Sequence, residues 1–105
     1  MKTRTDRFTV DPAHPSLAGH FPGNPVLPGV VVLDQVIRAA ERWLGPAVEV
    51  IALPQVKFVS PLRPGDTADV SLRYRPPTLE FEVVTSRACV ARGALRIQVR
   101  GARDG

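Results

Sequence analysis

His20 and Asp34 are the residues whose types and placement offer chemistry. An imidazole titrates near neutrality and can take or give a proton, and a carboxyl group can make the complementary transfer. His20 stands in the segment GHFPGNPVLPG, Gly19 to Gly29, and Asp34 follows in the apolar run VVVLDQV. Pro22, Gly23, Pro25, Pro28 and Gly29 restrict or specialise most backbone positions after the histidine, so its ring is expected at a defined place beside a helix start. A helix beginning there leaves N–H groups free at about Gly29 and Val30, aimed at an anion or carbonyl in front of them. Such groups would stabilise negative charge on a thioester or ketone oxygen and acidify the neighbouring carbon for an imidazole to deprotonate. A carboxylic acid could then protonate a departing hydroxyl. Each residue also has a plainer reading: His20 as a loop histidine without a role, Asp34 as a surface acid paired with Arg38 one turn on.

Other chemistries find less support. Neither His14 nor His20 has metal-ligand spacing to a cysteine or to another histidine, so no metal site is expected. The sequence carries no glycine loop of the dinucleotide or P-loop type and no serine in a nucleophile-elbow context. Cys89 is the single cysteine and has no local histidine to activate it, which favours a buried structural thiol.

The elements that must position His20 and Asp34 follow from periodicity. RTDRFTV alternates polar and apolar residues and ends at DPAHP, as a short strand before a proline-marked loop does. From Val30 the apolar positions Val30, Leu33, Ile37, Ala40 and Leu44 recur at helical steps, with Pro28 suited to the first turn and Gly45-Pro46 to the stop. AVEVIAL, QVKFVSPL, DTADVSLRYR, TLEFEVVTS and ACVARGALRIQVR then read as strands separated by turn signals such as Arg63-Pro64-Gly65-Asp66 and Pro76-Pro77. Strands in succession without intervening helices are antiparallel neighbours. The expectation is an α+β domain over residues 1–105, one strand, one long helix and then four or five strands, in which one sheet covers the helix.

Composition narrows the setting. The chain has 105 residues, 44% hydrophobic and 23% charged, which suits one globular domain. No stretch approaches the length of a membrane span and MKTRTDRF has no apolar core behind it, so a cytoplasmic protein without membrane association is expected. Fourteen basic residues against ten acidic ones give a net charge of +4, which suits an acidic protein partner. Nucleic acid is disfavoured by 6% aromatic residues and the lack of a recognition motif. The arginines Arg87, Arg92, Arg96, Arg100 and Arg103 are spread as on a solvated strand face rather than clustered.

GHFPGNPVLPGVVVLD resembles the active-site segment of the 3-hydroxyacyl-(acyl carrier protein) dehydratases, and VKFVSPLRPGD resembles their next recurring segment. The resemblance implies the hotdog fold: an antiparallel sheet wrapped around one long central helix, with protomers paired as a homodimer or higher oligomer and active sites between them. It implies His20 as the base at C2 and Asp34, from the other subunit, as the acid for the leaving hydroxyl. The N–H groups of Gly29 and Val30 would bind the thioester carbonyl, and the Val26 carbonyl would orient the histidine. It implies no metal or organic cofactor, and an acyl carrier protein as the substrate donor. Phe21, Leu27 and Phe58 are candidates for the walls of the acyl tunnel.

Arg38 departs from the glutamine common at this place in the family, and a cation so near favours the ionised form of an acid. The short chain resembles the compact dehydratases of aryl-polyene and similar secondary pathways more than the larger fatty-acid enzymes. Two alternatives accompany the dehydratase reading. One is a non-catalytic hotdog subunit that binds acyl chains or pairs with an active dehydratase. The other is a hotdog thioesterase, which would ordinarily lack the His-Phe-Pro-Gly segment.

Overall fold

Alternation along the strands builds one apolar sheet face. The structure, a computed structural model, describes residues 1–13 and 26–100. Its strands are β1 (Lys2–Thr9), β2 (Val48–Phe58), β3 (Thr67–Arg75), β4 (Thr78–Val84) and β5 (Cys89–Val99), with one helix, α1 (Gly29–Leu44), between β1 and β2. In β3 the residues Ala68, Val70 and Leu72 are buried, and in β4 Leu79, Phe81 and Val83, while their chain neighbours face out. Period-two burial of this kind is what a sheet covered on one face requires.

All pairings are antiparallel and the order is β1-β3-β4-β5-β2, which leaves β1 and β2 at the edges. The expected sheet around one helix is therefore present, with two differences of detail. The segments AVEVIAL and QVKFVSPL, expected as separate strands, form the single strand β2 through Pro54. An edge strand tolerates proline because one side has no ladder to feed, and the register shifts on both sides of Ala52 absorb the irregularity.

The second difference is the helix face. The residues of α1 buried on the sheet are Val32, Val36, Ala39 and Ala40, whereas Val30 is 75% exposed and Leu33 and Ile37 are only partly covered. Of the expected positions Val30, Leu33, Ile37, Ala40 and Leu44, Ala40 is buried, Leu33, Ile37 and Leu44 pack partly against the core, and Val30 is exposed, so Val30, Leu33 and Ile37 form a second apolar stripe beside the buried one. Two alanines in the buried stripe let the helix approach the sheet closely, and full burial of valines such as Val32 and Val36 contributes about 1.5–3 kcal/mol each. Towards its C-terminal end the helix is tied by the Arg42 Nε–Asp6 Oδ2 ion pair at 2.9 Å and by Trp43 set edge-on to Tyr74, with centroids 6.4 Å apart. Gly45 follows the last turn, as expected, its N–H donating to Glu41 O.

Among the described residues no helix is long and apolar enough to cross a membrane. Cys89 is partly buried rather than fully so, with its thiol directed at Ala91 O. Arg87, Arg92, Arg96 and Arg100 are exposed, as a solvated face predicts. Arg87 and Arg100 are paired there with Asp66 and Glu49.

Candidate active site

The start of α1 and the end of β2 are brought together by the backbone. The Leu27 N–H donates to Leu62 O at 2.8 Å, joining the proline-rich segment to VKFVSPLRPGD. The latter closes in a turn in which Asp66 N–H donates to Arg63 O at 3.0 Å, and Gly65 takes φ 85°. Proline followed by a residue of positive φ is the chemistry of a type II turn, and glycine supplies it without strain. A bulge in β5 fixes the other side. Val83 faces Ala91 and Val84 faces Cys89, so Val90 is the extra residue, and its carbonyl accepts from both Val59 N–H and Ser60 N–H.

Among the described residues no side chain caps α1. Pro28 precedes it with φ −59° and ψ 147°, its carbonyl accepting from Val31 and Val32, and the first turn carries no acid. The N–H groups of Gly29 and Val30 therefore have no helical acceptor and carry the positive end of the helix dipole uncompensated by a nearby carboxylate. Gly29 lines a cavity of about 340 Å³ with Leu27, Val32, Phe58, Leu62 and Val90. Leu27 contributes to that wall while being itself nearly buried. Val26 is half-buried immediately before it.

Asp34 faces another space. It lies in a cavity of about 930 Å³ between α1 and β2, walled by Val30, Leu33 and Ile37 on the helix and by Val50 and Val56 on the strand. It is the one charged residue in that lining among the described residues. Its Oδ2 accepts from Arg38 Nε at 2.7 Å, with both side chains half-exposed or more, so the expected i,i+4 pair is formed. The hydrogen bond and charge of Asp34 hold the Arg38 guanidinium above its ordinary pKa.

The structure thus places Gly29 and Leu27 on one cavity, Val30 and Asp34 on the other, and Phe58 on both. His20 and Phe21 lie outside the described residues. Reading by pattern missed the β2 wall, Leu53 to Val56, and the role of the second helix stripe. The signal was there: a helix whose apolar residues exceed one face needs a second cover. Among the described residues no cluster of histidine, cysteine or acidic side chains could hold a metal ion.

An antiparallel sheet around a single long helix is the hotdog architecture. The chain belongs to the ApeI-like family, described as ApeI dehydratase, whose model matches residues 2–94. It is also similar to a solved structure, the dehydratase heterocomplex ApeI:P from Xenorhabdus doucetiae, with a TM-score of 0.81 and 28% identity over 90% of this chain and 86% of that one. Two curated relatives are named 3-hydroxyacyl-[acyl-carrier-protein] dehydratase FabZ. The protein from Levilactobacillus brevis is 42% identical over 55 residues, covering 46% of this chain and 37% of the relative. The protein from Lactiplantibacillus plantarum is 32% identical over 79 residues, covering 69% of this chain and 54% of the relative. The match therefore spans about half the length of these relatives or less.

Proposed function

We propose that this protein removes water from 3-hydroxyacyl thioesters carried on an acyl carrier protein, giving trans-2-enoyl thioesters. The N–H groups of Gly29 and Val30 hold the thioester carbonyl, and His20, oriented by the Val26 carbonyl, takes a proton from C2. The electron pair of that C–H bond forms the double bond as the C3–O bond breaks. Asp34 of the partner subunit delivers its proton to the hydroxyl, which leaves as water. The observation that carries the reading is that, among the described residues, a single carboxylate lies in an otherwise largely apolar cavity, one turn from a helix N-terminus without a side-chain cap. A site shared between two chains is what the resemblance to the hotdog dehydratases implies. Among the described residues β2 is an edge strand, and exposed Ile51, Leu53, Phe58 and Val59 beside it are consistent with a neighbour there. A net charge of +4 suits an acidic carrier.

The test is dehydration of carrier-bound 3-hydroxyacyl substrates of graded length. His20→Ala is expected to lower kcat by roughly 10²–10⁴ with the fold intact, and unchanged turnover would remove the proposal. A second reading, a non-catalytic hotdog subunit that pairs with an active dehydratase, is favoured by one feature: the carboxylate of Asp34 is already engaged by Arg38. Turnover by the purified chain alone excludes it, whereas turnover that requires an added partner supports it.

A further inference from the structure

Val10 follows β1 and Leu27 precedes α1, and the chain between them contains His20. Both anchors are held by one short stretch of backbone. Val10 N–H donates to Asp66 O at 2.8 Å and Val10 O accepts from Gly65 N–H at 2.9 Å, while Leu27 N–H donates to Leu62 O at 2.8 Å. Val10, Leu27 and Leu62 are all buried, so these bonds lie where water competes for them least. The segment from Leu62 to Asp66 is thus the common base on which the chain before His20 and the chain after it are fixed.

Asp66 closes that base. Its Oδ2 accepts from Arg63 N–H at 2.9 Å and its own N–H donates to Arg63 O at 3.0 Å, so the turn is bonded in both directions. Its Oδ1 accepts from Arg87 Nη2 at 3.4 Å, which ties the turn to the connection between β4 and β5. Its carbonyl is the acceptor for Val10. The Asp66 side chain is 18% exposed against 75% for Arg87, which makes the carboxylate the inner member of their pair. An aspartate that satisfies a backbone N–H within its own turn fixes the local conformation. A chain segment whose two ends are fixed on one base samples less space than a segment with a loose end.

From this geometry we infer that Asp66 is a positioning residue: by closing the turn from Leu62 to Asp66, it fixes the base from which His20 and the N–H groups of Gly29 and Val30 meet the same thioester. The inference rests on the proposed function and gives a part in it to the segment VKFVSPLRPGD. Asp66 acts through the turn and not on the substrate.

The experiment compares the wild type with Asp66→Ala, Asp66→Asn and Arg87→Ala by amide hydrogen exchange and by dehydration kinetics. Asp66→Ala removes both carboxylate contacts, Asp66→Asn keeps an oxygen for Arg63 N–H, and Arg87→Ala removes only the outer tie. In Asp66→Ala, exchange at Val10 is expected to quicken about tenfold or more while the sheet residues Leu79 and Leu95, both 0% exposed, keep their protection. Its kcat should fall by up to about 10²-fold, the scale of a misplacement of about 1 Å, with KM within about twofold of the wild type. Asp66→Asn and Arg87→Ala should lie close to the wild type in both measurements.

Unchanged exchange at Val10 in Asp66→Ala overturns the inference. Quickened exchange with kcat unaltered also overturns it, by reducing Asp66 to a structural residue. Loss of protection at Leu79 and Leu95 together with Val10 does the same, because the effect is then general destabilisation. Failure of the proposed function is distinguishable from these outcomes. A wild type without turnover removes the reaction, and the clamp is then upheld or overturned by whether Asp66→Ala changes exchange at Val10 and the NMR shifts of the His20 imidazole while the protection of Leu79 and Leu95 stays.

Discussion

The two apolar stripes of α1 meet different surroundings. Val32, Val36, Ala39 and Ala40 lie against the sheet, and Val36 is 0% exposed. Val30, Leu33 and Ile37 have the same chemistry and similar spacing, yet they wall a cavity that also holds Asp34. The first stripe accounts for the helix being where it is. The second contributes less, because Leu33 and Ile37 pack against the core only in part and Val30 is exposed. An apolar stripe left half-covered beside a carboxylate is where selection for something other than folding would be expected to show, and the proposed thioester site uses it in that way.

The sharpest way to break this contrast is to place a charge on each stripe in turn. Val36→Asp would bury an unpaired carboxylate, a cost of several kcal/mol that is comparable with the ~5–15 kcal/mol of a typical domain, so loss of the cooperative unfolding transition is expected. Val30→Asp puts the same group on a residue already exposed and should change stability by no more than about 0.5 kcal/mol. Circular dichroism during chemical denaturation distinguishes them. Similar destabilisation by both substitutions would show that the helix is held from two sides and that the cavity wall is part of the core.

Which stripe was which could not be read from the helix alone. GVVVLDQVIRAAERWL satisfies the helical period from Val30 as well as from Val32, and the choice depends on where Ala39 and Ala40 let the helix approach the sheet. The ends of α1 were legible, because Pro28 and Gly45-Pro46 act locally. So were the inward residues of β3 and β4, where alternation has one solution once a single face is covered. Pro54 misled because its meaning depends on an edge position that no local pattern reveals. Asp34, Gly29 and Val30 were legible as site candidates from the motif that carries them. The close approach of the Phe58 ring to Gly29 was not, since it arises from contact between two segments whose pairing only the fold establishes.

Asp34 sharpens the contrast on the functional side. Its pair with Arg38 is solvent-exposed and lies within one helix, so Asp34→Asn should lower stability by only about 0.3–0.5 kcal/mol. The same substitution removes the proposed proton donor and is expected to reduce kcat by roughly 10²–10⁴. Melting curves and dehydration kinetics on one preparation test both halves. A variant that loses stability by several kcal/mol would make Asp34 a structural residue, and one that keeps its turnover would take it out of the reaction.

The smallest effect concerns the other ion pair of α1, on the side of the helix that meets β1. Asp6 accepts from Arg7 N–H at 2.7 Å and from Arg42 Nε at 2.9 Å. Burial is the largest single influence on its carboxyl group and pushes its pKa up. The two hydrogen bonds and the charges of Arg42 and Arg4 together outweigh that, so the group lies below its ordinary value. A carboxylate whose pKa is lower in the folded chain than in the unfolded one stabilises the fold above the unfolded value, about 4, and loses that contribution as pH falls through the folded value. Asp6→Asn should therefore cost less than about 1 kcal/mol at neutral pH and progressively less as the solution is acidified below about pH 4. Denaturation midpoints of wild type and variant across that range measure the difference. If the gap between them stays constant into strong acid, Asp6 joins β1 to α1 through packing and hydrogen bonding that protonation leaves in place, and charge is not what holds this end of the helix.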